Sequence, residues 1–104
     1  MPANIDALED MLARGKDSAM LRLTLAQAYE RDKNYGRTVL HLERALEQDT
    51  HYSAAWKLLG KVQLAQGQPD LARATWERGL AVARERKDMQ VARELEVFLK
   101  KLAK

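Results

Sequence analysis

Shifting the 104-residue sequence by 34 positions superimposes residues of the same chemical type. The longest match is Glu-Arg-small-Leu, which reads ERAL at residues 43–46 and ERGL at residues 77–80. The positions that coincide three times are Glu9, Glu43 and Glu77 and, three residues later, Leu12, Leu46 and Leu80. A fixed period of about 20 to 50 residues is typical of proteins that stack copies of one small unit. The chain is therefore expected to fold as an array of such units.

Each unit is predicted to be a pair of α-helices. The chain has only two prolines and five glycines, and strong helix formers dominate the rest. Apolar residues recur at spacings of three and four, the pattern of a helix with one buried face. Six such stripes run through residues 5–12, 21–29, 39–46, 55–62, 72–80 and 91–102. Short connections with turn residues, such as Gly15 and Gly67-Gln68-Pro69, predict antiparallel neighbours and an all-α fold.

Two 34-residue stretches share a recognisable order of residues. Residues 53–86 contain W-x-x-L-G and then A-x-x-x-W, formed by Trp56, Leu59, Gly60, Ala72 and Trp76. Residues 19–52 supply Leu25, Ala26, Tyr29 and Leu42 at the matching places. This order resembles the tetratricopeptide repeat (TPR) family, whose pattern is W-x-x-L-G-x-x-Y, A-x-x-x-F and a proline. The departures from that pattern are Arg22, Thr38 and Thr50 in one stretch and Gln63 and Arg84 in the other.

The resemblance implies a TPR-like right-handed superhelix of antiparallel helix hairpins, with about six helices in one domain spanning residues 1–104. Its predicted parts are a half repeat at 4–16, full repeats at 19–52 and 53–86, and a capping helix at 87–104. A two-residue insertion near residues 85–87 is needed to turn the apolar stripe of the last helix inward. That stripe consists of Val91, Leu95, Phe98, Leu99 and Leu102.

The two tryptophans are either a ligand-binding pair or packing residues. The resemblance places Trp56 and Trp76 on the family's packing positions, and large aromatic side chains usually lie in cores. Helices cross closely only where a side chain is small, and Gly60 and Gly79 supply such places. We therefore predict that both indoles are buried between helices.

The sequence offers no reaction centre. Cysteine is absent, which excludes disulfides, thiolate catalysis and cysteine metal sites. The two histidines, His41 and His51, have no neighbouring set of ligands or orienting partner in the sequence, so both are predicted to lie at the surface or its boundary. No phosphate-binding glycine loop or nucleophile motif occurs. We expect no enzymatic activity, no metal and no cofactor.

The N-terminal sequence lacks a basic leader and an apolar run, and no stretch approaches the roughly 20 apolar residues that span a membrane. The expectation is a cytoplasmic protein without a membrane segment. The net charge is +3, and residues 84–104 carry the excess, with seven basic and four acidic residues. Because acidic residues interrupt the basic ones, a solvated helix face is favoured over a nucleic-acid surface.

Protein binding is the function that the resemblance implies. In the family, the first helix of each repeat lines a concave groove that holds a segment of a partner. The residues carried over are Met20, Leu23, Gln27, Glu30 and Arg31 from one repeat and Ala54, Lys57, Lys61, Leu64 and Ala65 from the next. Lys57 and Lys61 lie one helical turn apart, whereas Met20 and Leu23 are apolar. This predicts a groove for a partner segment that mixes acidic and apolar residues.

Other interpretations stay open from sequence. The N-terminal half repeat could cover Met20 and Leu23, leaving both lysines merely solvated. The chain could be a small basic nucleic-acid binder that uses the C-terminal helix, or an assembly subunit that shares this helix between copies; we expect a monomer or a weak homodimer. Chaperone adaptors of the family grip a C-terminal carboxylate with charged residues, but the matching positions hold Leu23, Gln27 and Leu58. A carboxylate clamp is therefore not expected.

Overall fold

The computed structural model describes residues 4–103, and these form six α-helices in sequence. The helices are α1 (Ile5–Ala13), α2 (Ala19–Arg31), α3 (Tyr35–Gln48), α4 (Ser53–Ala65), α5 (Pro69–Glu85) and α6 (Met89–Leu102). The all-α expectation is confirmed. Residues 1–3 and Lys104, which the predicted domain includes, lie outside the described residues.

Local chemistry explains where the helices begin. The side chains of Asn4, Ser18, Asn34 and Asp88 each accept a hydrogen bond from the backbone N–H three residues further on. Such caps satisfy amide groups that the first helical turn leaves without a partner. Pro69 starts α5, where its missing N–H and fixed φ are tolerated.

Four connections contain a residue in the left-handed conformation. Gly15 and Gly67 have φ angles of 83° and 78°, in agreement with their prediction as helix-ending residues. Lys33 and Lys87 take the same conformation, each with φ 60°. Lys33 stands 34 residues before Gly67, so the geometry of the turn repeats although the residue type does not.

The 34-residue period is visible in the helix register. The starts of α2 and α4, Ala19 and Ser53, are 34 residues apart, as are those of α3 and α5, Tyr35 and Pro69. The period then breaks, because α5 has 17 residues where α3 has 14. Helix α6 consequently begins at Met89, two residues later than the period would place it, at the position of the predicted insertion.

Helix α2 is buried on two sides. Leu21, Leu25 and Tyr29 form one apolar cluster, against which Ile5, Leu8 and Leu12 of α1 pack. Leu23 and Ala26 belong to a second cluster, which extends into the following helices. The other members of the second cluster are Leu42, Leu46, Ala55, Trp56 and Leu59. Helix α2 thus connects the half repeat to the rest of the array.

Both tryptophans are packing residues, as predicted. Trp76 is 3% exposed and lies against Gly60, where a Cβ atom would overlap its indole ring. Trp56 is 7% exposed, and a Cβ at Gly79 would lie 2.6 Å from its own Cβ. The indole N–H groups also have partners: Trp56 donates to the carbonyl of Thr50 at 2.9 Å, and Trp76 donates to that of Lys57 at 3.0 Å.

The apolar stripe of α6 packs within the same chain. Leu95 is fully buried and lies near Gly79, and the Phe98 ring sits 5.1 Å from that of Trp76. Val91, Leu99 and Leu102 are half-buried beside them. The stripe therefore covers the last hairpin of its own chain.

Candidate functional site

A cleft of about 370 Å³ lies between α2 and α4, the first helices of two successive repeats. Its lining residues are Gln27, Glu30 and Arg31 from α2 and Ala54, Lys57, Leu58 and Lys61 from α4. Because the two helices start 34 residues apart in a repeating register, equivalent turns of the chain face the cleft together. Six residues predicted from the sequence thus meet in one place, namely Gln27, Glu30, Arg31, Ala54, Lys57 and Lys61.

The three cations of this cleft are not equivalent. Lys57 Nζ lies 3.0 Å from Glu94 Oε1 of α6, and the lysine side chain is only 28% exposed. Within residues 4–103 the ion pairs include Lys57 but neither Arg31 nor Lys61. Arg31 and Lys61 are both exposed and lie on opposite walls. They therefore present the available positive charge of the cleft.

A second cleft, of about 570 Å³, lies beside the first helical turns of α2 and α4. Ala54 lines both clefts, so the two adjoin at this residue. Met20 lines the second cleft with a side chain that is 71% exposed. On the far side, the Ser53 hydroxyl donates to Asp88 Oδ2 at 2.9 Å, which links α4 to the start of α6. The combined surface presents the apolar side chain of Met20 at one end, beside polar residues that include Asp49 and Arg86, and the cations Arg31 and Lys61 at the other end.

Two predicted groove residues lie elsewhere. Leu23 is 8% exposed and belongs to the core cluster between α2, α3 and α4, so its prediction as a groove residue is wrong. The reason is that α2 buries two faces. The apolar stripe on one face does not reveal that the second face, which carries Leu23, is buried as well. The alternative that the half repeat covers Met20 and Leu23 is also wrong, because Met20 is exposed and Leu23 is covered by later helices. Leu64 instead lines a small cleft with Trp76, Phe98, Lys101 and Leu102, separate from the cleft that contains Lys57 and Lys61.

A buried polar cluster escaped prediction. His41 is 3% exposed, whereas the sequence suggested a surface or boundary position. Its Nδ1 lies 3.2 Å from Arg22 Nη1, and its ring stacks on Tyr29 with 5.5 Å between centroids and a 5° interplanar angle. Arg22 is the one sequence signal for such a site, because it stands where the TPR pattern has tryptophan.

The cluster continues to the connection between α1 and α2. Arg22 donates to both carboxylate oxygens of Asp17 at 2.8 Å, and Gln48 donates to Oδ1 at 2.9 Å. These bonds hold the pKa of Asp17 at about 2, and the same pairing raises the pKa of Arg22. The Tyr29 hydroxyl donates a hydrogen bond to Glu9 of α1. Burial raises the pKa of Tyr29. Burial lowers the pKa of His41.

Two other kinds of site are absent from residues 4–103. Nowhere do three or more His, Asp or Glu side chains stand together in a way that would hold a metal ion. None of the described helices combines the length and the apolar character that crossing a membrane requires.

A profile of the tetratricopeptide repeat matches residues 31–94, which is more than half of the chain. The chain belongs to the tetratricopeptide repeat family. The TPR repeat-containing protein PA0015 of Pseudomonas aeruginosa is 48% identical over 98 residues, which cover 94% of this chain and 93% of that protein. The matching solved structures agree with this assignment.

Three of these structures span a wide range of sequence identity. Protein BPP2914 of Bordetella parapertussis is 47% identical, with a TM-score of 0.87 over 99% of this chain and 90% of that one. A TPR domain protein of Salinibacter ruber is 28% identical, with a TM-score of 0.78 over 83% and 87%. The TPR2B domain of yeast Sti1, in complex with pHsp70, is 19% identical, with a TM-score of 0.87 over 95% and 79%. TPR domains are generally protein–protein interaction modules.

Proposed function

We propose that this TPR chain is a non-enzymatic interaction module that holds a segment of a partner protein on the surface formed by α2 and α4. Arg31 and Lys61 contact an acidic side chain of the segment, and Met20 contacts an apolar one. The observation that carries this proposal is the pair of adjoining clefts, one with an exposed methionine and the other with two exposed cations without an ion-pair partner among residues 4–103. A methionine that is 71% exposed at one end favours an apolar contact, because its flexible side chain adapts to different shapes.

The charge pattern favours a carboxylate over a cation as the central contact. Arg31 and Lys61 face each other across the cleft, and Glu94 already neutralises much of the charge of Lys57. A carboxylate between two cations gains from both, and arginine can bind it through two N–H groups. Glu30 also lines the cleft and disfavours a dense acidic run, so one or two acidic residues suit it better.

The yeast Sti1 domain supports the general mode of action, because that fold is seen in complex with pHsp70. Its 19% identity supports the fold alone, and the specificity is argued from this chain's own residues. Gln27 and Leu58 are uncharged and line the cleft, which does not suit a clamp for a terminal carboxylate. An internal acidic side chain is therefore the proposed ligand.

The test uses fluorescent peptides in which one aspartate or glutamate follows an apolar residue, with the amide analogues as comparison. Binding is measured by fluorescence polarisation with the wild-type chain and with the double variant Arg31→Glu/Lys61→Glu. We expect the double variant to bind at least about tenfold more weakly, because like charges then face the ligand. Affinity for the acidic peptide should also fall as the salt concentration rises.

A control variant makes the same kind of charge reversal, at one position instead of two, away from the cleft. Arg73 lies on α5 and, among residues 4–103, forms an ion pair only with the exposed Asp70, so Arg73→Glu reverses one positive charge in the same direction. This control should retain wild-type affinity. Lys57→Glu is a poor test because it would place two carboxylates together at Glu94. If acidic and amide peptides bind equally, or if Arg73→Glu weakens binding as much as the double variant, the proposed contact is wrong.

A further inference from the structure

His41 lies where three helices meet, and charged or titratable groups approach it from each of them. Glu9 of α1 places Oε2 at 3.6 Å from His41 Nε2. From α2, Arg22 contacts Nδ1 and the Tyr29 ring stacks on the imidazole. Arg37, which belongs to α3 like His41, places its guanidinium over the Tyr29 ring, 5.8 Å from the ring centroid. Asp17, in the connection before α2, is held by Arg22.

The geometry specifies a neutral imidazole. Arg22 has only N–H donors, so Nδ1 must be the acceptor and the ring proton must lie on Nε2. Nε2 is buried, and among residues 4–103 it has no hydrogen-bond partner, because Glu9 is slightly too far away. A buried polar group in this state costs free energy comparable to a lost hydrogen bond.

Protonation would make this arrangement worse. A proton on Nδ1 would turn the acceptor into a donor, so the Arg22 bond would be lost and two positive charges would stand 3.2 Å apart. Arg37 also disfavours the charged ring, whereas Glu9 and Asp17 favour it. Burial has the largest effect and opposes the charge, so a protonated His41 is more stable in contact with water.

Helix α1 is the element whose movement would expose His41 to water at the lowest free-energy cost. It has nine residues and none of them is buried, whereas α2 and α3 share the central core. It contacts the hairpin through Ile5, Leu8 and Leu12 on the apolar side and through Glu9 on the polar side. Elements with few buried contacts open at the lowest free energy. Moving α1 also uncovers His41 Nε2, which faces Glu9.

We propose that His41 makes the docking of α1 dependent on pH: α1 packs on the α2–α3 hairpin while His41 is neutral and detaches when His41 is protonated. Detachment exposes the apolar face formed by Leu21, Leu25 and Tyr29. The device is independent of the cleft between α2 and α4, so it stands or falls separately from the proposed binding function.

The next repeat provides an internal comparison. The positions 34 residues after Arg22, Tyr29 and His41 hold Trp56, Gln63 and Thr75. There the Thr75 hydroxyl donates to Gln63 Oε1 at 2.6 Å, a neutral and fully paired arrangement. The second repeat therefore keeps the same packing positions without a titrating group, and His41→Thr is the substitution that the chain itself suggests.

The test measures amide hydrogen exchange by NMR, corrected for the intrinsic effect of pH, between about pH 7.5 and pH 5, the range in which histidine titrates. In the wild type, protection of residues 5–13 should fall about tenfold or more towards pH 5, while α4 and α5 keep theirs. His41→Thr should remove this pH dependence. His51→Thr should keep it, because His51 is exposed and contacts Glu85 instead.

A second variant separates titration from simple loss of packing. Glu9→Gln retains an acceptor for Tyr29 but removes the negative charge that favours protonation of His41. Without this charge the pKa of His41 in the docked state falls further below that of the exposed ring, so acidification from pH 7.5 to pH 5 should reduce the protection of α1 by a larger factor than in the wild type. The proposal is overturned if wild-type α1 shows the same protection at both pH values, if His41→Thr leaves the pH dependence unchanged, or if the loss of protection on acidification is no larger in Glu9→Gln than in the wild type. If His41→Thr does not fold, as judged from the amides of α4 and α5, the comparison of Glu9→Gln with the wild type tests the proposal.

Discussion

The contact between Trp76 and Gly60 shows how a single residue fixes a helix crossing. The indole occupies the space that a side chain at residue 60 would fill, and its N–H reaches the carbonyl of Lys57 in the preceding turn of α4. A hydrogen bond and a steric contact thus hold the same pair of helices. The position tolerates glycine alone, although glycine is a poor helix former.

Gly60→Ala should destabilise the chain by about 2 kcal/mol or more, because the added methyl group must displace a buried indole. Gly36→Ala is the matched control, since glycine 36 is also helical and has open space where a Cβ would lie. It should stabilise the chain by up to about 1 kcal/mol through helix propensity alone. Urea unfolding followed by circular dichroism measures both free energies. Equal effects of the two substitutions would show that the crossing at Trp76 is not tight.

Individual residues differ in how well the sequence predicts them. Trp76 was predictable because its place in the repeat pattern and its size both favour a core position. Leu23 was not, because a helix with two buried faces has no single apolar stripe. The environment of His41 depends on Glu9 and Arg22, which are distant in the sequence and become neighbours only when α1 packs on the first hairpin. No local pattern encodes that contact.

At the scale of elements, Asp88 connects two helices while it caps one of them. Its Oδ1 accepts from the Val91 amide at 3.3 Å, and its Oδ2 accepts from the Ser53 hydroxyl at 2.9 Å. The beginning of α6 is therefore tied to the beginning of α4. Ser53 is buried, so its hydroxyl relies on this carboxylate.

Asp88→Ala should lower the free energy of unfolding by about 2 to 3 kcal/mol, through loss of the cap and of the bond to buried Ser53. Asn34→Ala removes a cap of the same 3.3 Å length at α3, and among residues 4–103 the Asn34 side chain makes no bond to another helix. This comparison variant should lose about 1 kcal/mol. Denaturant titration of both variants gives the difference. A loss in Asp88→Ala no larger than in Asn34→Ala would mean that the Ser53 bond contributes nothing.

For the whole molecule, the polar cluster at the first hairpin makes stability depend on pH. Asp17 has a folded pKa of about 2 against an ordinary value of 3.8, so its contribution is complete above pH 3.8 and is lost as the pH falls towards 2. His41 acts at a higher pH: its pKa is lowered from 6.5, so stability decreases as the pH falls from 6.5 through the folded value. Acidification should therefore weaken the fold in two stages.

The substitution Asp17→Asn should remove the lower stage. Between pH 3.8 and 2 the wild type should lose about 1 kcal/mol more than this variant, a figure reduced because the carboxylate is partly exposed to water. Urea midpoints measured across this range test the prediction. Asp70→Asn serves as the control, since that carboxylate is 96% exposed and should leave the acid curve unchanged. Parallel curves for the wild type and Asp17→Asn would disprove the assigned role of Asp17.

The overall architecture was the most predictable level. The recurrence at Glu9, Glu43 and Glu77 with helical spacing between them is sufficient to predict stacked helical pairs. The register of α6 required a two-residue insertion, which the apolar stripe around Leu95 revealed. The candidate cleft was only partly predictable. Lys57 and Glu94 are 37 residues apart in the sequence, and only the packing of α6 beside α4 brings them together.

The placement of the indoles has an experimental consequence. Trp56 lies in α4 and Trp76 in α5, so near-ultraviolet absorption and emission from tryptophan report on this hairpin and on its contacts with neighbouring helices. Far-ultraviolet ellipticity averages over all described helices. In a linear array the units are coupled only through neighbours, and their melting need not coincide. A gap between the optical and ellipticity midpoints would therefore measure directly how strongly the first half of the array is coupled to the second.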